Sequence, residues 1–265
     1  MEASQINAIN HAGQTPLHTT AANGAASAVL ALMQLGANRS AQDKQGRTAL
    51  HLAAHNGHDD VVELLLQDIP RGSRTYYRDL LISLHQPDED GRTPLHLAVN
   101  NGHDKILQTM MHAILSSTDT SQLLQLRPRD WPPEIVEKVF IKMNLVRAKD
   151  NERQTALHLA ARKGYATVVD NLLSINPYMV NEQDNFERTA LDYAAEKSEE
   201  ERNNQVIKSL VERGATIAQL NPKTIAGLNS NGAEGVIQRA VENHETAMLM
   251  ASLAQDVDSK MAITE

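Results

Sequence analysis

Histidine is the residue type best placed to do chemistry in this chain, and three crowd one stretch: His51, His55 and His58. A His-x-x-x-His spacing puts two imidazoles on one helix face, which is what a zinc ion needs from a helix. Carboxylates are the second candidate, in the runs Asp88-Glu89-Asp90 and Glu199-Glu200-Glu201. Both runs fall where turns are expected, so solvated charge is their expected role. Cysteine is absent. That excludes disulfides, thiolate metal sites and a cysteine nucleophile, and it fits a reducing compartment. The chain contains no G-x-x-x-x-G-K-[ST], no G-x-S-x-G and no H-E-x-x-H, so the signatures of phosphate loops, serine hydrolases and zincins are missing.

The histidines ride on a recognisable element. Thr48-Ala49-Leu50-His51-Leu52-Ala53-Ala54-His55-Asn56-Gly57-His58 reads as a short helix and a glycine turn. A second amphipathic helix follows, with Val61, Val62, Leu65 and Leu66 at helical spacing. Thr48 is placed to cap the first helix, its side-chain oxygen accepting an orphan backbone N–H. The same element returns at Thr15-Pro16-Leu17-His18, Thr93-Pro94-Leu95-His96, Thr155-Ala156-Leu157-His158 and Thr189-Ala190-Leu191-Asp192. Pro16 and Pro94 take the first helical position, where a missing N–H costs nothing. Gly24, Gly57, Gly102 and Gly164 each separate one helix from the next, a place suited to a left-handed residue. His18, His51, His96 and His158 therefore close one recurring motif, and His58 and His103 both follow its glycine. Of the three crowded histidines only His55 has no place in the pattern, and Gly57 ends the helix before His58. One such helix pair cannot bury its apolar face alone, whereas stacked copies can.

A Thr-to-Thr step of about 33 residues with a T-P-L-H core resembles the ankyrin-repeat family, over roughly residues 10–216. The resemblance implies an all-α solenoid of about five repeats with β-turn fingers. It also implies that the motif histidines hydrogen-bond backbone within and between repeats. The steps from Thr48 to Thr93 and from Thr93 to Thr155 exceed the family period by about 12 and about 29 residues. Two helical inserts are therefore expected, at about 70–86 and 115–147. The first contains Tyr76 and Tyr77. The second contains Trp131-Pro132-Pro133-Glu134, a helix start, and then Ile135, Val136, Val139, Phe140 and Met143 on one helix face. Thr19 and Thr20 stand where the second repeat has Leu52 and Ala53, as expected of a terminal repeat facing water. Arg153 stands where a finger glycine is usual, so the fourth turn is expected to differ. The fifth repeat has Asp192 for histidine, no glycine turn and a charged run from Lys197 to Arg202. The domain reading is an ankyrin-repeat domain over 1–216 and a C-terminal helical cap over 217–265.

A net charge of −8 argues against nonspecific nucleic-acid binding, which rests on a basic surface. No run of about 18 apolar residues is present, so no membrane span is expected. The first residues lack the basic and apolar regions of a signal peptide. A cytoplasmic monomer with no cofactor, no metal and no catalytic residue is the expectation. The resemblance implies a non-enzymatic scaffold that binds a partner protein through fingertips and the exposed sides of the first helices, the concave face. Carried over by position, the candidate partner-binding residues are His11, Gln14 and Asn23 in the first repeat, and Lys44, Gln45, Arg47, His55 and Asn56 in the second. The third contributes Glu89, Asp90, Arg92, Asn100 and Asn101, the fourth Asn151, Glu152, Gln154, Arg162 and Lys163, and the fifth Asn185, Phe186, Arg188, Glu196 and Lys197. Arg47, Arg92 and Arg188 share one position and should form a ladder suited to carboxylates. Phe186 is a candidate aromatic anchor. The competing reading is an enzyme or small-ligand protein whose site lies between the 115–147 insert and the concave groove. The interrupted repeats, absent cysteines and helical tail also resemble ankyrin effectors that intracellular bacteria deliver into host cells, which would place the chain in a host cytoplasm.

Overall fold

The computed structural model describes residues 3–67, 83–116, 142–196 and 201–216. Their regular structure is helical throughout. The elements are α1 (Ala3–Ile6), α2 (Pro16–Ala22), α3 (Ala26–Gln34), α4 (Ala49–Asn56), α5 (Asp59–Gln67), α6 (Pro94–Asn101) and α7 (Asp104–Ser116). There follow α8 (Ala156–Lys163), α9 (Ala166–Ile175), a 3-10 turn at Pro177–Met179, α10 (Ala190–Ala195) and α11 (Glu201–Glu212). No strand occurs among the described residues. The expected pair of helices forms at every described copy of the motif. The chain divides between Ala156 and Leu157 into two units.

In the first unit the first helices make one row and the second helices another. Helix α4 packs on α2 and α6, α5 packs on α3 and α7, and each pair closes on itself. Ala21, Ala53, Ala54 and Ala98 are fully buried; a side chain that ends at Cβ lets helices of seven or eight residues approach closely. Val61, Val62, Ile106, Leu107 and Met110 fill the second row, each large side chain contributing about 1.5–3 kcal/mol on removal from water. In the outermost helix, Thr19 and Thr20 are half-buried and turn their hydroxyls back to the Pro16 carbonyl, each at 2.9 Å. That meets the expectation for a repeat with water on one side.

In the second unit α11 packs on α9 and α10, and the 3-10 turn closes against α9. Leu157, Val169, Leu172, Leu173, Leu191, Val206, Ile207 and Leu210 form its core, with Met179 from the turn. Asn181 closes the repeat by accepting from the Thr216 N–H at 2.8 Å and donating to the Gly214 carbonyl at 3.0 Å.

Most of the two expected inserts lies outside the described residues, including Tyr76, Tyr77 and Trp131, as do Lys197 to Glu200 and the expected C-terminal cap. The insert flanks are described. Residues 83–85 form a helical turn with Leu84 buried, and residues 142–146 form another with Leu145 and Val146 buried.

Candidate functional site

Every finger is folded around one oxygen. Asp43 Oδ1 accepts from the N–H groups of Gln45 (2.9 Å) and Arg47 (3.0 Å). Asp88 does so for Asp90 and Arg92, Asp150 for Glu152 and Gln154, and Asp184 for Phe186 and Arg188, all within 2.8–3.0 Å. Asn10 plays the part in the first finger, accepting from Ala12 and Gln14. The expectation that Asp88 is a solvated charge is therefore corrected: its carboxylate organises the turn. Burial pushes the Asp43 carboxyl up, but hydrogen bonds from the Arg47 side chain and from the backbone of Arg47 and Gln45 outweigh it and hold the group below the usual range. For Asp184 the same contest is won by Tyr193 and the backbone N–H groups of Arg188 and Phe186.

Within the first unit adjacent fingers join through backbone. The N–H groups of Lys44, Glu89 and Asn151 donate to the carbonyls of Ala12, Gln45 and Asp90 at 2.9–3.0 Å. Gly46, at φ +72°, sits against this seam, and a Cβ there would come within 3.0 Å of the Glu89 nitrogen. Arg153 and Glu187 hold the matching positions at φ +59° and +60°. The fourth turn thus keeps the common geometry rather than differing, at a strain of about 1 kcal/mol for a non-glycine residue.

The expected arginine ladder is occupied from within. Arg47 Nε and Nη2 both donate to Asp43 Oδ2, at 3.1 and 2.8 Å, and the Asp43 side chain is 1 % exposed. Arg188 is held by Asp184 Oδ2 (3.6 Å), Glu196 Oε1 (3.5 Å) and the Tyr193 hydroxyl. Only Arg92 pairs at the surface, with Asp90 at 3.1 Å. Gln154, carried over as a binding residue in the same position, is buried, and its Nε2 donates to Glu152 Oε2 at 3.1 Å. Arginine and glutamine at this position can satisfy their own finger, and sequence position alone does not reveal it.

The motif histidines do what the resemblance implied, and the hydrogen bonds define their tautomer. His51 Nδ1 accepts from the Thr48 N–H (3.1 Å) and hydroxyl (2.8 Å), so the proton is on Nε2, which donates to the Arg92 carbonyl at 3.1 Å. His18 reaches the Arg47 carbonyl, His96 that of Gln154 and His158 that of Arg188. The expected threonine cap takes the form of a capping box: at Thr15, Thr48 and Thr93 the side chain faces the backbone N–H of the histidine three residues on, and that histidine's ring accepts from the threonine N–H. Burial pushes His51 and His96 down to about 4 and lowers His158 as well. His58 and His103 form a second ladder, their Nε2 groups on the carbonyls of Ala22 (2.9 Å) and His55 (3.0 Å). Gly57 makes room for it, since a Cβ there would meet the His103 ring at 2.8 Å. The His-x-x-x-His spacing thus serves hydrogen bonds to separate elements.

Of the remaining candidates, Lys44, Gln45, Glu89, Asp90, Asn100, Lys163 and Phe186 are exposed. His55 and Asn101 are exposed but joined, Asn101 Nδ2 lying 3.0 Å from His55 Nδ1; this gives His55 the place that the repeat pattern lacked. Asn56 donates to the Ala22 carbonyl at 3.0 Å. Phe186 is 62 % exposed with the Arg188 guanidinium 5.1 Å from its ring centre. Sequence reasoning missed Tyr193, which is buried, donates to Asp184 Oδ2 at 2.6 Å and carries the Arg188 and Arg162 guanidinium groups 4.2 and 5.7 Å from its ring centre. Burial and the bond to Asp184 raise its hydroxyl above the usual phenol range. An aromatic residue where the second repeat has Leu52 was the available signal.

Two family models match the chain: ankyrin repeats in three copies over residues 2–79 and 132–221, and a single ankyrin repeat over residues 90–119. Among curated proteins the chain is similar to Rabankyrin-5 of Mus musculus, 30% identical over 186 residues, covering 67% of this chain and 15% of that protein. It is also similar to the nuclear factor NF-kappa-B p105 subunit of Rattus norvegicus, 40% identical over 63 residues (24% of this chain, 6% of that protein). A third relative is the Notch-regulated ankyrin repeat-containing protein of Xenopus tropicalis, 36% identical over 61 residues (23% of this chain, 54% of that protein). The match spans about 15% of the length of the first of these. Among the described residues no helix is long and apolar enough to cross a membrane.

Proposed function

Because the chain belongs to the ankyrin-repeat family, we propose that it is a non-catalytic scaffold that holds a partner protein against its fingertips and the exposed faces of its first helices. The single observation that carries this reading is the division of labour among the polar residues. Asp43, Asp184, His51 and His96 are consumed by the fold. Lys44, Gln45, Glu89, Asp90, Asn100, Lys163 and Phe186 face outward on the same fingers and helices. A rigid frame that presents exposed side chains lowers the ordering cost of association. A delivered effector would change where such a scaffold acts and not how it binds.

The test is affinity capture from cell extract with identification by mass spectrometry, comparing wild type with a Lys44→Glu, Glu89→Lys, Lys163→Glu, Phe186→Ser variant. Arg47 and Arg188 are left intact because charge reversal at either would undo its finger. A protein retained by wild type and released by a folded variant supports the reading. Retention by both moves binding elsewhere on the chain, and no retained protein argues against a scaffold.

A further inference from the structure

The second unit carries an alternating stack of rings and cations that no finger of the first unit has among the described residues. Phe186 lies against Arg188, Arg188 against Tyr193, and Tyr193 against Arg162. Tyr193 is the buried floor, and Arg188 is locked on it by Asp184, Glu196 and the Tyr193 hydroxyl. The Phe186 backbone is held by its N–H to Asp184 Oδ1 at 2.8 Å, and Arg188 backs one side of its ring. A large apolar ring is thus presented to solvent on an anchored turn, which lowers the ordering cost that a ligand meets.

Charge distinguishes the two ends of this surface. The charge of Arg188 is answered by Asp184 and Glu196. Arg162 and the adjacent exposed Lys163 have no ion pair among the described residues. They close α8, and the partial negative charge of a helix C-terminus, about half a unit, cannot neutralise two cations. A chain of net charge −8 therefore offers two adjacent cations that no described carboxylate answers, one of them against the same Tyr193 ring that supports Arg188 and, through it, the exposed Phe186.

Resting on the scaffold reading, we infer that this surface docks an acidic segment of a partner protein that carries an apolar side chain beside its carboxylates. The carboxylates meet Arg162 and Lys163, and the apolar side chain meets the Phe186 ring. Arginine gives the carboxylate a planar, two-pronged partner, and the aromatic supplies the desolvated contact on which affinity concentrates.

Fluorescence anisotropy on the full chain tests this with three labelled synthetic 12-residue peptides. One is rich in Asp and Glu with a central Leu-Phe pair, the second has that pair replaced by Ser-Ser, and the third has the acids replaced by Lys. Binding of the first, with each replacement weakening it at least about tenfold, is the expected result. Phe186→Ser and the double variant Arg162→Gln, Lys163→Gln should each weaken the first peptide by a similar factor, and Lys105→Gln on the second helix α7, an exposed lysine outside the fingers and first helices, should leave it unchanged. Circular dichroism verifies that the variants fold, which the exposure of Phe186 and Lys163 favours. Affinity for the first peptide that is insensitive to Phe186 and the cations, or that falls with Lys105→Gln instead, overturns the inference while leaving the scaffold reading standing. Equal affinity for all three peptides, or none for the first, overturns the inference as well. The scaffold reading is judged separately, by the capture experiment.

Discussion

The second and fifth repeats build one turn and one cap from different residues, and the differences separate what a repeat needs internally from what it gives a neighbour. In the second, Asp43 organises the finger, Gly46 takes the left-handed position and His51 caps the helix while reaching on to the Arg92 carbonyl. In the fifth, Asp184 organises the finger and Glu187 takes the left-handed position. There Asp192 caps, its Oδ2 accepting from the Thr189 N–H at 2.7 Å and hydroxyl at 2.8 Å. Aspartate reproduces what Nδ1 of histidine does inside the repeat. An ionised carboxylate only accepts, so it has no N–H to donate outward as His51 Nε2 does. The part of the motif that was lost is the part that bridges.

The largest effect that would break this comparison is at the finger carboxylates. Asp43→Ala leaves two N–H groups and the half-buried Arg47 charge without their partner, and should cost about 3 kcal/mol, the low end for a broken buried pair because Arg47 can turn to water. Asp184→Ala should cost as much, since the Tyr193 hydroxyl stays buried. Urea denaturation followed by circular dichroism reads both. Near-neutral outcomes would mean that the turns do not depend on these anions.

The next effect sharpens the contrast between the caps. His51→Asp keeps an acceptor for Thr48 but removes the bridge to Arg92 and buries a charge, and should cost about 2 kcal/mol or more. The reverse change, Asp192→His, should cost under about 1 kcal/mol. Equal losses would show that the bridge contributes little.

Acid should act on the repeats that keep histidine. His51 and His96 sit at about 4 in the folded chain against about 6.5 unfolded. The unfolded state binds more protons between those values, so stability is complete above about pH 6.5 and falls as pH drops toward 4. At pH 5 each histidine should contribute about 2 kcal/mol of that loss. The lowered carboxyls of Asp43 and Asp184 extend it in the same direction at lower pH. Denaturation midpoints from pH 7 to 4 should slope less steeply in a His51→Asn, His96→Asn variant, which no longer titrates at those positions; an unchanged slope would assign the acid sensitivity elsewhere.

The smallest effect lies at the finger tips. Glu187→Gly and Arg153→Gly relieve a strained backbone angle and should each stabilise by about 1 kcal/mol, partly offset by glycine's greater freedom when unfolded. Gly46→Ala should go the other way, since the Cβ meets both the left-handed angle and the Glu89 nitrogen. A loss of stability in Glu187→Gly would show that the side chain, not the turn, governs that site.

Much of this was legible in the residues alone. The threonine, leucine, histidine and glycine positions located the helix pairs, and the recurrence of histidine at one motif position argued for a structural role over metal binding. The candidate surface was legible only in outline. Lys44, Glu89, Lys163 and Phe186 were read as exposed and are exposed. Arg47, Arg188 and Gln154 were read as free for a partner and are engaged within their own fingers.

The repeating unit follows from the residue order alone, because capping, helix propensity and the left-handed glycine are local and recur with the chain. Tertiary structure alone decided where the ring nitrogens and guanidinium groups ended. His51 finds its acceptor 41 residues away and His96 finds its own 58 away, across segments of unequal length. No local pattern encodes such a distance. The same holds for the Phe186, Arg188, Tyr193 and Arg162 stack, which exists only once a finger and two helices have been folded against one another.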